Sequence, residues 1–287
     1  MPLATLLLPF LAQVGPGGTL PQAPLPERKA KAPTVVSQPA NPLSAAGRQS
    51  PELQNCLKLA MENPSDAIDE AEAWLAAAKT MSDKAGAQQC KALALTRIDG
   101  WAEAGALFLA ARDNTPANEA GERARLGALA GNALLVAGDT AAALIALDHA
   151  HGDAHSANDH QLNGVIQIDR ARALVALGRT AEAGAALEEA RAEVPDNSQG
   201  WLLSATLSRR EGKLAAAQQQ IERAASLMPV DPEIGLEAGV IAVLSGRDDA
   251  ARKSWLSVIA AAPNSSFAKT AQGYLDQLGP QRASPAK

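Results

Sequence analysis

Every histidine in the chain falls within twelve residues: His149, His151, His155 and His160, interleaved with Asp148, Asp153 and Asp159. Imidazole and carboxylate are the donors that zinc, nickel and copper accept, and His151 with His155 would share a face if the stretch were helical. Metal handling is one reading of this cluster. The other is a solvated insertion, because polar loop residues usually face water and no supporting shell can be identified around the four rings. The second is preferred, so neither a metal nor a cofactor is expected. The remaining reactive side chains are Cys56 and Cys90, 34 residues apart. They suit either a disulfide in an exported chain or two buried small hydrophobic groups.

No catalytic arrangement accompanies these residues. The chain has no phosphate-cradling glycine loop, nucleophile elbow, Cys-x-x-Cys pair or His-Glu-x-x-His helix. Glu182, Glu188 and Glu189 sit where exposed helix faces are expected, and Arg209, Arg210 and Glu211 read as a solvated helix end. The chain is therefore not expected to be an enzyme. Its formal net charge of −5 offers no electrostatic footprint for nucleic acid or an anionic membrane surface. With 47% apolar but only 3% aromatic residues, it suits helices that cross closely.

The elements that would position these residues follow a 34-residue beat: Gly178, Gly212 and Gly246 keep that interval, as do Pro195, Pro229 and Pro263. Ala183, Ala217 and Ala251 repeat in the same phase, with Leu187, Ile221 and Trp255. In the unit from Ser198, a first helix over roughly Gln199 to Arg210 ends at Gly212, which tolerates the left-handed backbone at a helix C-terminus. A second helix carries Ala217, Ile221, Ala224 and Leu227 as one apolar stripe. Pro229 stops it, lacking an amide hydrogen. Small residues, Ala171, Ala205 and Gly239 in first helices and the three alanines above in second helices, let paired backbones approach closely. Each unit is thus an antiparallel helix pair, and arrays of such pairs usually bind rather than catalyse.

This pattern resembles the tetratricopeptide repeat family. The unit from Ser198 carries the match with Trp201, Ala205, Gly212, Ala217, Ile221, Ala224 and Pro229. The unit from Gly164 offers Ala171, Gly178, Ala183, Leu187, Ala190 and Pro195, with Gln167 where the family has a Trp-like residue. The unit from Pro232 offers Gly239, Gly246, Ala251, Trp255, Val258 and Pro263, with Gly235 at that place. Upstream, a unit from Ala124 carries Gly131, Gly138, Ala143, Leu147 and Ala150, but Gly138 to Gly178 spans 40 residues, so about six extra residues form an insertion. The resemblance implies an all-α solenoid, a superhelix of antiparallel pairs. Clear repeats cover 164–197, 198–231 and 232–265, divergent ones 52–85, 86–123 and 124–163, the second of these holding Gly100, and a capping helix covers 265–278. The cap bears Phe267, Ala271, Tyr274 and Leu278 behind a Ser265 or Ser266 cap. About eleven helices and essentially no strand are expected over 52–278. Cys56 and Cys90 fall at equivalent places on consecutive first helices, where bridging requires a close crossing.

In the family a groove along the first helices holds the partner. Carried over, it is lined by Arg125, Ala128, Asn132, Leu135 and Val136, then by Val165, Ile168, Arg172, Val175 and Ala176. Gln199, Leu202, Thr206, Arg209 and Arg210 follow, then Glu233, Leu236, Val240, Val243 and Leu244. Chaperone-binding members hold a terminal carboxylate with a lysine and an asparagine, of which only Asn132 is matched. The resemblance therefore implies a protein or peptide partner on an apolar strip with a few arginines, anchored by Arg125, Asn132, Arg172, Val175, Arg209, Arg210, Val240 and Val243. Ile168, Leu202 and Leu236 serve either as groove or as core between repeats. Arg172→Glu with Val240→Asp is expected to weaken such a partner and spare the fold.

Residues 1–12, MPLATLLLPFLA, are too short to span a bilayer and read as the hydrophobic part of a secretory signal without its usual basic start. Residues 13–51 gather eight prolines and few large apolar groups, as a disordered linker would, and 279–287 read as a disordered tail. The expectation is a non-enzymatic scaffold, periplasmic or secreted in a bacterial envelope, with no transmembrane segment in the mature chain. An intracellular adaptor without cleavage and a metal-handling protein using the His149–His160 insertion are the alternatives.

Overall fold

The computed structural model describes residues 50–279; the expected signal, nearly all of the expected linker and the tail beyond Gly279 lie outside the described residues. Within these, thirteen α-helices follow one another without a strand. They are α1 (Pro51–Glu62), α2 (Pro64–Ala77), α3 (Met81–Arg97), α4 (Trp101–Asn114), α5 (Ala120–Ala137), α6 (Thr140–Ser156) and α7 (His160–Ala176). Then come α8 (Thr180–Glu193), α9 (Ser198–Arg210), α10 (Leu214–Leu227), α11 (Pro232–Leu244), α12 (Asp248–Ala261) and α13 (Ser266–Leu278). Six pairs and a cap form, two helices more than the spacing suggested, because the weakly patterned stretch before α5 makes two complete pairs.

Local chemistry starts and stops these helices. Side chains of Ser50, Asn63, Thr80, Asp139, Asp159, Asn197, Asp231 and Ser265 accept amide hydrogens of the first turn that the helix itself leaves unpaired. Between paired helices, Gly138, Gly178, Gly212 and Gly246 take φ of 71° to 85°, the left-handed turn that a side chain disfavours. In the second pair the left-handed residue is Asp99 at φ 63°, and Gly100 instead precedes α4 as its N-cap.

Packing then joins neighbours. Ala183, Ala217 and Ala251 are fully buried, and Leu147, Leu187, Ile221 and Trp255 fill the space between helices. A Cβ on Gly239 would lie 2.1 Å from the Trp255 indole nitrogen, so the indole of α12 rests directly on the α11 backbone. The cap differs slightly from expectation. Ala268, Ala271 and Leu275 point inward, while Phe267, Tyr274 and Leu278 flank the same apolar cluster.

The predicted insertion at His149–His160 is not an irregular loop, and that expectation is corrected. Relative to the next units, α6 gains three residues over the 14 of α8, α7 gains four over the 13 of α9, and the connecting loop loses one. The extra residues lengthen helices because Ala150 and Ala154 continue the buried face of α6. The added turns carry a buried polar seam. Asp153 accepts from Arg112 Nε at 2.7 Å and from Arg123 Nε at 3.4 Å, and Arg123 also donates to the carbonyls of Arg112 and Thr115. This closes the α4–α5 connection onto α6. On the other flank His151 Nδ1 lies 2.7 Å from Asn163 Oδ1, and Asn163 Nδ2 donates to Glu189 at 2.9 Å. Gln167, only 1% exposed at the place of the family's Trp-like residue, donates to the other Glu189 oxygen. Burial opposes the Glu189 charge, yet the amides of Gln167 and Asn163, with His151 and Arg170 nearby, hold its carboxyl below the usual glutamate range.

At the other end, Cys56 on α1 and Cys90 on α3 are joined as a disulfide, with Cα atoms 5.9 Å apart and both residues fully buried. The close crossing that bridging demanded is present. Lys91, next to Cys90, reaches Glu72 on α2 at 2.8 Å and Glu103 on α4 at 3.0 Å. Those two carboxylates raise its pKa. Two outcomes follow from these junctions. Closing 34 residues corresponds to about 4 kcal/mol of unfolded-state entropy, so Cys56→Ser with Cys90→Ser should lower urea-unfolding stability by ~2–4 kcal/mol, and hydrogen exchange should localise the loss to α1–α3. A depressed folded-state pKa contributes stability above the unfolded glutamate value and loses it as pH falls through the folded one. Glu189→Gln should accordingly be destabilised at neutral pH, with the gap in urea midpoint closing as pH falls below the glutamate range; a gap independent of pH would refute the assignment.

Candidate functional site

The groove residues carried over from the family lie on α5, α7, α9 and α11, and the structure gives their arginines carboxylates of their own. Arg125 pairs with Glu122 one turn earlier, its Nε donating at 2.8 Å. Arg172 pairs in the same way with buried Asp169, and its Nη2 reaches Gln199 on α9 at 3.1 Å. Arg209 crosses to Glu237 on α11 at 2.6 Å, with side chains only 16% and 13% exposed. The bidentate Arg209–Glu237 pair, partly desolvated, and the Arg172–Gln199 contact tie adjacent first helices together. Arg210 is exposed and makes no ion pair among the described residues, and Asn132 is exposed as well.

Apolar members divide between surface and core. Ile168 and Leu202 are each 2% exposed and belong to the core between repeats. Leu236, Val240 and Val243 lie half-buried against the cluster around Trp255, and Val175 against that around Leu174. The face is thus narrower in apolar area and more evenly charged than the sequence suggested. Glu122 and Asp169 were legible as partners three residues before an arginine. Glu237, 28 residues after Arg209, was not.

This geometry also changes the expected effect of Arg172→Glu. It would set a second carboxylate beside Asp169, whose side chain is 8% exposed, so the fold would be perturbed along with any partner. The histidines are dispersed. His149 and His155 are exposed on α6, His151 is held by Asn163, and His160 pairs with Glu193 at 2.7 Å. Among the described residues no group of three or more His, Cys, Asp or Glu side chains is placed to hold a metal ion. An open cleft of about 470 Å³ lies away from the face, between α12 and α13, lined by Arg252, Leu256, Gln272 and Asp276 among others. No helix of the described residues is long and apolar enough to cross a membrane.

No family model and no curated protein matches the sequence. Solved structures do share the architecture. PilW, a widely conserved type IV pilus biogenesis factor, is similar with a TM-score of 0.62 at 18% identity over 78% of this chain and 100% of its own. PilF of Pseudomonas aeruginosa gives 0.61 at 16% identity over 78% and 96%. The apo quorum sensor NprR of B. thuringiensis gives 0.63 at 14% identity over 80% and 70%. At these identities the likeness is one of fold. Six stacked helix pairs, left-handed turns 34 residues apart at Gly178, Gly212 and Gly246, and buried small residues between paired helices agree with it, and the chain has the tetratricopeptide repeat fold.

Proposed function

We propose that the protein is a non-enzymatic scaffold of the bacterial cell envelope that binds another protein along its first-helix face. The observation that carries this reading is the face itself. Its ion pairs, Arg125–Glu122 and Arg172–Asp169 within a helix and Arg209–Glu237 between two, already engage the arginines, and half-buried valines lie among them without converging on a reaction centre. A fixed surface of paired charges and aliphatic groups suits recognition of a polypeptide. Similarity in fold to PilW, described as a type IV pilus biogenesis factor, is in keeping with an envelope role.

The disulfide supports export. A bridge with no solvent exposure persists where the compartment is oxidising, whereas cytosolic thiols are kept reduced. Periplasmic protein treated with an alkylating reagent in denaturant should gain no mass at Cys56 or Cys90; two alkylated cysteines would instead favour the intracellular adaptor. For the face, Asn132→Trp with Thr206→Trp adds bulk without breaking an ion pair. Recovery of the native partner from the source cells should fall by at least ~10-fold at unchanged melting temperature. Undiminished recovery would place the site elsewhere.

A further inference from the structure

The first helix is fastened to the array differently from those that follow. α1 is 12 residues long, a length that is marginal for a helix standing alone in water. It buries Leu53, Cys56, Leu57 and Ala60, so two leucines with two small groups must offset the entropy of ordering the whole helix. Charge adds nothing. No ion pair among the described residues joins α1 to another helix, since Lys58 pairs with Glu62 inside α1 itself. What pins it across α3 is the Cys56–Cys90 bond.

α2 is held without that bond. Trp74 rests on the α3 backbone, where a Cβ on Gly86 would lie 2.5 Å from its ring. Lys91 of α3 reaches Glu72 on α2 and Glu103 on α4, and Ile68 and Leu93 pack against both the first apolar cluster and the next. α2 also starts by itself: Pro64 opens it, and Asn63, the single residue between α1 and α2, caps it by accepting from the Asp66 amide. We propose that α1 is a redox-released strap, which covers Ala67, Ala71, Cys90 and Ala94 while the bond is intact and leaves them when it is reduced, with α2–α13 still packed. A dithiol balances the exchange. One of its thiolates attacks a bridge sulfur to form a mixed disulfide, its second sulfur closes the reductant's own disulfide, and Cys56 and Cys90 each end with a proton. Both cysteines are fully buried, so α1 must lift before a reductant reaches them. The strap is thus closed in an oxidising compartment and open in a reducing one, whether or not a partner occupies the first-helix face.

The test compares three forms of the full chain by hydrogen exchange: oxidised, refolded in dithiothreitol, and Cys56→Ala, which cannot form the bond. In both unbridged forms the amides of α1 should lose protection at least ~100-fold, while those of α4–α13 change by less than ~3-fold. Reoxidising the reduced chain should restore α1. Cys90 gives an independent readout, since a thiol beneath a docked helix is shielded: in native Cys56→Ala protein, maleimide should modify it within ~10-fold of the rate for an unfolded peptide. Protection of α1 retained in either unbridged form overturns the strap. So does an equal loss of protection from α1 to α13, which would make the bond a support of the whole array, or a Cys90 that stays unreactive in Cys56→Ala protein.

Discussion

The structure depends on backbone approach between paired helices. A unit of two helices, each 13 or 14 residues long, cannot bury its apolar stripes alone, so each pair must close tightly and then stack on its neighbours. Closure is possible because the crossing points carry no bulk. Gly239 admits Trp255, Gly131 admits Leu147 with a would-be Cβ 2.4 Å from its Cγ, and alanines elsewhere are fully buried. At those two points the wide side chain comes from the second helix and the glycine from the first. The same constraint explains why so alanine-rich a chain, with 3% aromatic residues, still builds a continuous core.

Where the period slips, polar contacts take over from apolar repetition. The lengthened α6 and α7 could slide against their neighbours if alanine faces alone met there. Asp153 between Arg112 and Arg123, and Glu189 between Asn163 and Gln167, remove that freedom, since each group is satisfied in one register only. Buried charge costs desolvation and adds modest net stability, but an unpaired partner is expensive, so such seams specify alignment strongly. The disulfide does the corresponding work at the first pair, where α1 has neighbours on one side only among the described residues.

On the first-helix face, ionic groups act between repeats. Arg209 to Glu237 and Arg172 to Gln199 span adjacent first helices and set their separation. That leaves few charges for a partner. Recognition then falls to shape and aliphatic contact, and the fold by itself names no partner.

The sequence by itself determined the helix pairs, their turns and their phase, because glycine, proline and small-residue punctuation acts locally and repeats at a fixed interval. It located Gly178, Gly212 and Gly246 as left-handed turns and put Cys56 and Cys90 on equivalent helices. Tertiary structure alone decided the rest. Six extra residues can form a loop or lengthen two helices, and only burial of Ala150 and Ala154 against a neighbouring helix selects the second. A surface arginine and a paired one look alike in sequence: Arg209 is bound by a carboxylate 28 residues away, while Arg210 beside it is open to water. The physical reason is that side-chain partners across repeats are chosen by helix rotation and spacing, which no local pattern encodes.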